Sequence, residues 1–447
     1  MVGIAGSGMN GIAEILITSG FQVSGSDLRD TEDTRRLRRL GAIIYKGHDA
    51  SYVGEAEALI YSSAVREDHV ELEAAREKKI PIIRRAEMLS ELMRMKAGIA
   101  ISGTHGKTTT TSLVGEILIA GGLQPTVIIG GRLRRMGSGA VSGAGDFIVA
   151  EADEFDRSFL RLTPTIVVIT NIDSDHIECY GSFEELKNAF IQFANSVPFY
   201  GRAMLCIDDP AVMKILPRLE KTVVTYGFSP QADIRAHDLS LKENTASFLV
   251  ENGEGVLGRI RLPLPGRHNV LNALAAIGVA RELGIEYEPI RDALESFKGV
   301  HRRFEIVGEV NDILVVDDFA HHPAEIAATL AAAADGWQRP ILAVFQPHLY
   351  SRTQTLAEEF GRALLSAEIA LVLPIYPARE EPIEGVSSRL IVDAARHAGH
   401  KRIFQLEDRS KTADRVRELV KPGDMVITIG AGDVYTLAPL IVESLKR

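Results

Sequence analysis

The sequence predicts an α/β protein of three domains: N-terminal Rossmann-like, central P-loop ATPase-type α/β with a mixed sheet, and C-terminal Rossmann-like. Three observations carry this. Short apolar runs alternate with helical patterns up to about Met95, the rhythm of a parallel sheet. The same alternation returns from His301. Between the two, an apolar run meets the hexapeptide Gly103-Thr104-His105-Gly106-Lys107-Thr108. A chain of 447 residues exceeds one ordinary core, since domains run to roughly 100–200 residues, and the boundaries are placed at 1–96, 97–299 and 300–447.

In the first segment Val2 to Ala5, Phe21 to Ser24, Ala42 to Tyr45, Ala58 to Ser62 and Ile80 to Ile83 read as strands. The first turn spells Gly6-Ser7-Gly8-Met9-Asn10-Gly11, a GxGxxG, and Asp27 closes the next strand about where a ribose-binding acid would sit. Three outcomes stay open: NAD or FAD binding, binding of another diphosphate-bearing ligand, or close packing of a helix on a strand. A separate mononucleotide site elsewhere in the chain favours the second.

In the second segment the hexapeptide joins Ile99-Ala100-Ile101-Ser102 to a helical stretch starting near Thr109. Small residues bring backbone N–H groups to phosphates, the helix N-terminus adds positive potential, Lys107 neutralises phosphate charge, and the Thr108 hydroxyl suits Mg²⁺. The usual first Gly of a phosphate loop is replaced by Ile101. Four apolar residues, 147–150, then deliver Glu151 to a strand end, where a hard cation takes carboxylate oxygen. The alternative, a solvated acidic loop, describes Asp153, Glu154 or Asp156. The next strand, 165–170, brings Asn171 to His176 to the same side, making His176 a second candidate ligand. Asn269 and Asn272, one helical turn apart, suit a purine edge, with helix capping by Asn269 as the alternative.

In the third segment Ile313 to Val316, Ile341 to Phe345, Ile369 to Leu373, Arg402 to Gln405 and Met425 to Ile429 read as strands. Two polar loops follow strands: Asp317 through Pro323, and Gln346 through Arg352. Arg352 suits bidentate binding of a carboxylate or phosphate, and the histidines suit orienting an amine or acyl phosphate. N-capping plus surface charge is the alternative.

A formal net charge of -10 offers no broad attraction for nucleic acid or an anionic membrane. Only Cys179 and Cys206 are present, which argues against a disulfide framework or a structural zinc. No apolar stretch reaches the roughly 18–20 residues that span a bilayer. A cytoplasmic protein is expected, with neither nucleic-acid nor membrane partners.

Together these stretches resemble the Mur ligases of bacterial cell-wall synthesis along essentially the whole chain. The carriers are Gly3 through Met9, Ser62 through Val65, Gly103 through Thr110, Glu151 through Glu154, Asn171 through His176, Gly266 through Asn269, Arg302 through Phe304, Asp317 through Pro323 and Gln346 through Arg352. The likeness is strongest to members that add L-alanine. It implies that ATP activates the lactyl carboxylate of UDP-N-acetylmuramate as an acyl phosphate, which the amine of L-alanine attacks. By that resemblance Gly6, Ser7, Gly8, Asp27, Ser62 and His105 contact UDP-N-acetylmuramate. Gly103, Thr104, His105, Gly106, Lys107, Thr108, Thr109, Asn269, Asn272, Arg303 and Asp318 hold ATP, and Thr108, Glu151 and His176 hold two Mg²⁺ ions. His321, His348, Tyr350 and Arg352 serve the acyl group or amino acid, with Lys107, His176, His348 and Arg352 as the catalytic set.

Two departures are visible. Later-acting relatives carry a metal-holding carbamylated Lys where this chain has Phe190, so none is expected, and Ala5 stands where L-alanine-adding relatives often have Gly. A recycling ligase that attaches a tripeptide to UDP-N-acetylmuramate ranks second. An NAD-dependent oxidoreductase with an ATPase domain rests on GxGxxG alone, and a non-catalytic nucleotide switch leaves the acyl-site residues without a role. The expected assembly is a monomer or homodimer.

Overall fold

The computed structural model describes residues 1–447 apart from Ser63, 134–137, Asp156, His176 and Arg379, and apart from the side chains of residues 7, 131–133, 138 and 178. The chain divides into two compact units, one of Met1–Asp238, Phe248–Ile260 and Leu271–Val300, the other of Leu239–Ser247, Arg261–Val270 and His301–Arg447. Among the described residues no helix is long and apolar enough to cross a membrane.

The first ninety-odd residues build two parallel strand pairs, β1 (Ser24–Asp27) with β2 (Ile43–Lys46) and β3 (Leu59–Tyr61) with β4 (Ile82–Arg84). Helices α1 (Ser7–Thr18), α2 (Glu32–Arg39), α3 (Val70–Glu77) and α4 (Arg85–Arg94) alternate with them. The strand expected over Val2 to Ala5 shrinks to Val2, which bridges Ser26 and Tyr61 and so joins the pairs. Gly3, at φ 75°, turns the backbone out of the extended region immediately after it. The strand expected at Phe21 begins at Ser24 instead, because the Phe21 amide bonds back to Leu16 and closes the end of α1, leaving the ring exposed.

A ten-stranded mixed sheet follows. Its strands are β5 (Ala97–Ser102), β6 (Thr126–Leu133), β7 (Ser138–Val141), β8 (Phe147–Glu151), β9 (Ile166–Ile169), β10 (Arg202–Cys206), β11 (Val223–Gly227), β12 (Ile234–Lys242), β13 (Thr245–Asn252) and β14 (Gly255–Leu262). The order is β14-β13-β12-β11-β10-β9-β5-β8-β6-β7, with β5 parallel to both β8 and β9, and β7 antiparallel to β6. Around it run α5 (Lys107–Ala120), α6 (Ile177–Tyr180), α7 (Phe183–Ala194), α8 (Pro210–Ile215), α9 (Arg267–Glu282) and α10 (Tyr287–Glu295). Ile99, Ile101, Val149, Val167 and Val168 in the central strands are fully buried, and each such side chain contributes about 1.5–3 kcal/mol. That burial fixes the strand ends on which the site is built.

The C-terminal residues form a six-stranded sheet in the order β15-β16-β20-β17-β18-β19. The strands are β15 (Glu305–Val310), β16 (Ile313–Asp318), β17 (Ile341–Phe345), β18 (Ile369–Val372), β19 (Ile403–Gln405) and β20 (Met425–Ile429), parallel except for β15 against β16. Helices α11 (Pro323–Trp337), α12 (Tyr350–Thr355), α13 (Ala357–Ala363), α14 (Arg389–His397), α15 (Thr412–Leu419) and α16 (Leu437–Leu445) connect or flank them.

Candidate active site

Neighbouring strands β8, β5 and β9 end together, and each contributes polar groups. From β5 the chain enters the phosphate loop with Gly103 at φ 128° and Gly106 at φ 85°, both disfavoured for residues bearing a Cβ. A Cβ on Gly103 would lie 2.1 Å from Thr170 Oγ1, and one on Gly106 would lie 2.6 Å from Asn272 Oδ1. The helix α5 then starts at Lys107, two residues earlier than the expected start near Thr109. Its first turn presents backbone amides that have no intrahelical acceptor.

The loop is stitched to the end of β9. His105 N donates to Asn171 Oδ1 at 2.8 Å, Asn171 Nδ2 donates to the His105 carbonyl at 2.9 Å, and Thr170 Oγ1 donates to the same carbonyl at 2.6 Å. Thr104 N reaches the Asn171 carbonyl at 3.1 Å, while Asp173 N donates to Thr104 Oγ1 at 2.8 Å. The amides of Thr104 and His105 therefore brace the loop against β9. His105 Nε2 lies 3.4 Å from Asp173 Oδ2.

Lys107 Nζ donates to the Gly103 carbonyl at 2.7 Å and the Thr104 carbonyl at 3.2 Å, and meets both oxygens of Glu154 at 2.9 Å. Glu154 is 1% exposed, which overturns the expectation of a solvated acid at that position. The Tyr180 hydroxyl donates to the Glu154 carbonyl, and the Arg157 guanidinium lies 4.8 Å over the Tyr180 ring. Burial alone would lower the Lys107 pKa, but the carboxylates of Glu154, Asp153 and Glu151 outweigh it and hold the ammonium above the ordinary lysine range.

Glu151 ends β8, and its Oε1 accepts from Gly130 N at 2.6 Å. Thr108 is 7% exposed in the first turn of α5. His176 lies outside the described residues. Thr110 Oγ1 donates to Asn272 Oδ1 at 3.1 Å, fixing Asn272 beside the loop. Asn269 is engaged differently. Its Nδ2 donates to the Pro265 carbonyl at 2.7 Å, and it sits inside α9 rather than at its cap. The two amides also belong to different compact units. Phe190 is fully buried against Phe159, with ring centroids 5.4 Å apart, and Lys187 pairs with Glu184.

In the N-terminal part Gly6 caps α1 and Ser7 opens it. Asp27 receives Ala5 N at 3.0 Å and Arg29 N at 3.1 Å, so its carboxylate braces the glycine-rich turn. A Cβ on Gly8 would lie 2.8 Å from Arg85 Nη1, placing beside that turn a guanidinium that no sequence pattern announces. Ser62 Oγ accepts from Ala64 N at 3.3 Å. Nearby, His48 Nδ1 and Ser26 Oγ both meet Glu71 Oε1, at 3.0 and 2.6 Å, and His69 Nδ1 caps α3 through Glu71 N at 3.3 Å.

In the C-terminal unit the loops after β16, β17 and β20 meet. Asp318 accepts from Phe304 N and Ala320 N, each at 2.7 Å, and burial pushes its pKa up to about 6 against the pull of Arg303. Arg302 pairs with Asp317 at 3.1 Å, and Arg303 lies 5.1 Å over the Phe319 ring. His321 and His348 have ring centroids 6.1 Å apart, and His348 stacks on Tyr376. Tyr350 and Arg352 lie on the short α12 that follows.

A glycine-rich turn, a lysine-bearing phosphate loop with an acid at the next strand end, and a six-stranded α/β unit with a His-rich loop cluster define a multidomain α/β phosphate-binding protein. Three family models cover the chain: "Mur ligase family, catalytic domain" over residues 1–97, "Mur ligase middle domain" over 101–280, and "Mur ligase, glutamate ligase domain" over 302–432. The chain belongs to the Mur ligase family. It is 51% identical over 446 residues to a UDP-N-acetylmuramate--L-alanine ligase of Geotalea daltonii, covering 100% of this chain and 97% of that one. It is 52% identical over 445 residues to the enzyme of the same name from Geotalea uraniireducens, with the same coverage. The crystal structure of the UDP-N-acetylmuramate-alanine ligase of Thermotoga maritima matches with a TM-score of 0.82 at 30% identity, over 99% of this chain and 97% of that one. A murein peptide ligase from Psychrobacter arcticus matches with a TM-score of 0.73 at 23% identity, over 100% and 98%, a likeness of fold.

Proposed function

We propose that the protein joins L-alanine to the lactyl carboxylate of UDP-N-acetylmuramate, driven by ATP, in the bacterial cytoplasm, as a step of peptidoglycan precursor synthesis. The observation that carries this is the convergence of Lys107 and Thr108, after β5, with Glu151, at the end of the adjacent β8, in a chain about half identical along its length to ligases named for that reaction. The carboxylate attacks the γ-phosphorus and ADP leaves. The amine then attacks the acyl carbon, inorganic phosphate departs, and the amine gives up a proton as the amide forms. Such chemistry needs charge neutralisation and positioning more than a protein nucleophile.

Lys107 and the first-turn amides of α5 hold the phosphates, and Asn272 borders the loop for the nucleotide. Thr108 and Glu151 offer hard oxygen donors, a set that fits Mg²⁺, with His176 as the further ligand the sequence suggests. When bound, Mg²⁺ would shield charge on the phosphoryl oxygens. Gly6, Ser7, Gly8 and Ser62 line the turn for the UDP part, Asp27 holds that turn in shape, and Arg85 adds a cation beside it. Arg303 and Asp318 serve the nucleotide, and His321, His348, Tyr350 and Arg352 the acyl group and amino acid.

The test is phosphate release from ATP with UDP-N-acetylmuramate while L-alanine, glycine, L-serine or a tripeptide is supplied in turn. Dependence on L-alanine is expected. Release independent of any amino acid would sink the proposal, and preference for the tripeptide would move the protein to the recycling reaction.

A further inference from the structure

Lys107 has three N–H groups and four acceptors within reach: two carbonyls of its own loop and both oxygens of Glu154. A phosphate oxygen can reach this ammonium only if one acceptor yields. The Gly103 carbonyl, at 2.7 Å, belongs to the loop's frame, whereas the Glu154 carboxylate is the one partner that matches phosphate in charge. A buried cation that exchanges one anion for another is never left uncompensated, which would cost several kcal/mol.

We infer that Glu154 acts through Lys107 as a positioning residue: its carboxylate competes with nucleotide phosphate for the Lys107 ammonium and thereby limits how tightly nucleotide is held. This rests on the proposed role of Lys107 at the phosphates. Glu154 is held ready to compete. Its carboxylate is almost fully buried, and its backbone carbonyl is pinned by the Tyr180 hydroxyl and by Arg157 N at 3.1 Å. Glu151, three residues earlier, turns instead to Gly130 N, so the two acids divide the space: one for the cation site, one for the lysine. Equal strengthening of substrate and product binding slows release without speeding chemistry, and a competing carboxylate prevents that strengthening.

The experiment is a titration and stopped-flow release of a fluorescent ADP analogue on the full chain, for the wild type, Glu154→Gln, Lys107→Met and the double variant. Glu154→Gln keeps the shape and removes the charge. It is expected to bind ADP about tenfold tighter and release it correspondingly more slowly. On the Lys107→Met background the same change should tighten binding by less than about threefold, because the competition has lost its object. A merely structural role would loosen binding. Unchanged or weaker binding in Glu154→Gln, or equal tightening on both backgrounds, overturns the inference. Lys107→Met binding ADP as the wild type does would instead overturn the phosphate role of Lys107. Should Glu154→Gln fail to fold, Glu154→Asp, which retracts the charge by one methylene, is expected to tighten binding in the same direction by a smaller factor, and no tightening overturns the inference.

Discussion

Lys107 and Glu154 form a buried ion pair in which one ammonium nitrogen is equidistant, at 2.9 Å, from both carboxylate oxygens. The side chains are 17% and 1% exposed, so a Glu154 charge left without Lys107 gains little from water. Lys107→Met is therefore expected to destabilise the first unit by about 3 kcal/mol, and the double variant with Glu154→Gln by less. Urea unfolding of both checks it. Phosphate release by Lys107→Met should fall at least about 100-fold.

The phosphate loop leaves no room for a methyl group. Gly103→Ala would force a Cβ toward Thr170 Oγ1 at a φ that alanine avoids, and Gly106→Ala would push Asn272 aside. Each variant should lose at least about 1–3 kcal/mol and most nucleotide affinity, read by thermal unfolding and ADP titration.

Asp318 supplies a dependence of stability on pH. Its pKa is about 6 in the fold against about 3.9 in an unfolded chain, so between these values the native state binds more protons. The contribution is fully present below about pH 4 and is lost as pH rises through 6, a change of about 3 kcal/mol. The stability of the wild type relative to Asp318→Asn should shrink from pH 4 to pH 7, as measured by urea unfolding across that range. A constant difference would remove Asp318 as the source.

Phe190, which stands where the sequence resemblance leads one to look for a metal-holding lysine, packs against Phe159 with no exposure. Phe190→Lys is expected to cost about 4 kcal/mol in thermal unfolding and to confer no bicarbonate-dependent activity.

The strands at 341–345 and 425–429 are legible to the residue because each is five apolar or small residues buried on both faces between turns. Boundaries drift where a helix end borrows from the next strand, as at Phe21. Glycines and the lysine of the phosphate loop are equally legible, since few other structures call for that spacing. The Glu154 contact is not. Four acids lie within six residues at the end of β8 and after it, and nothing local says which turns inward. That is decided by Tyr180 and Lys107, which are distant in sequence. The double use of Asn171 and the approach of Arg85 to Gly8 are hidden for the same reason, and Asn269 and Asn272 look alike on a helical wheel although their neighbours differ.

The two hydrogen bonds between the Asn171 side chain and the backbone of His105 bear on the chemical lifetime of the protein. They require an amide, with a donor on one atom and an acceptor on the other. Deamidation of this single side chain would leave the acceptor in place but turn the donor into a carboxylate oxygen facing the His105 carbonyl. The bulky Ile172 that follows hinders the backbone attack by which asparagines deamidate, so the residue after Asn171 guards the loop against ageing as well as filling the core.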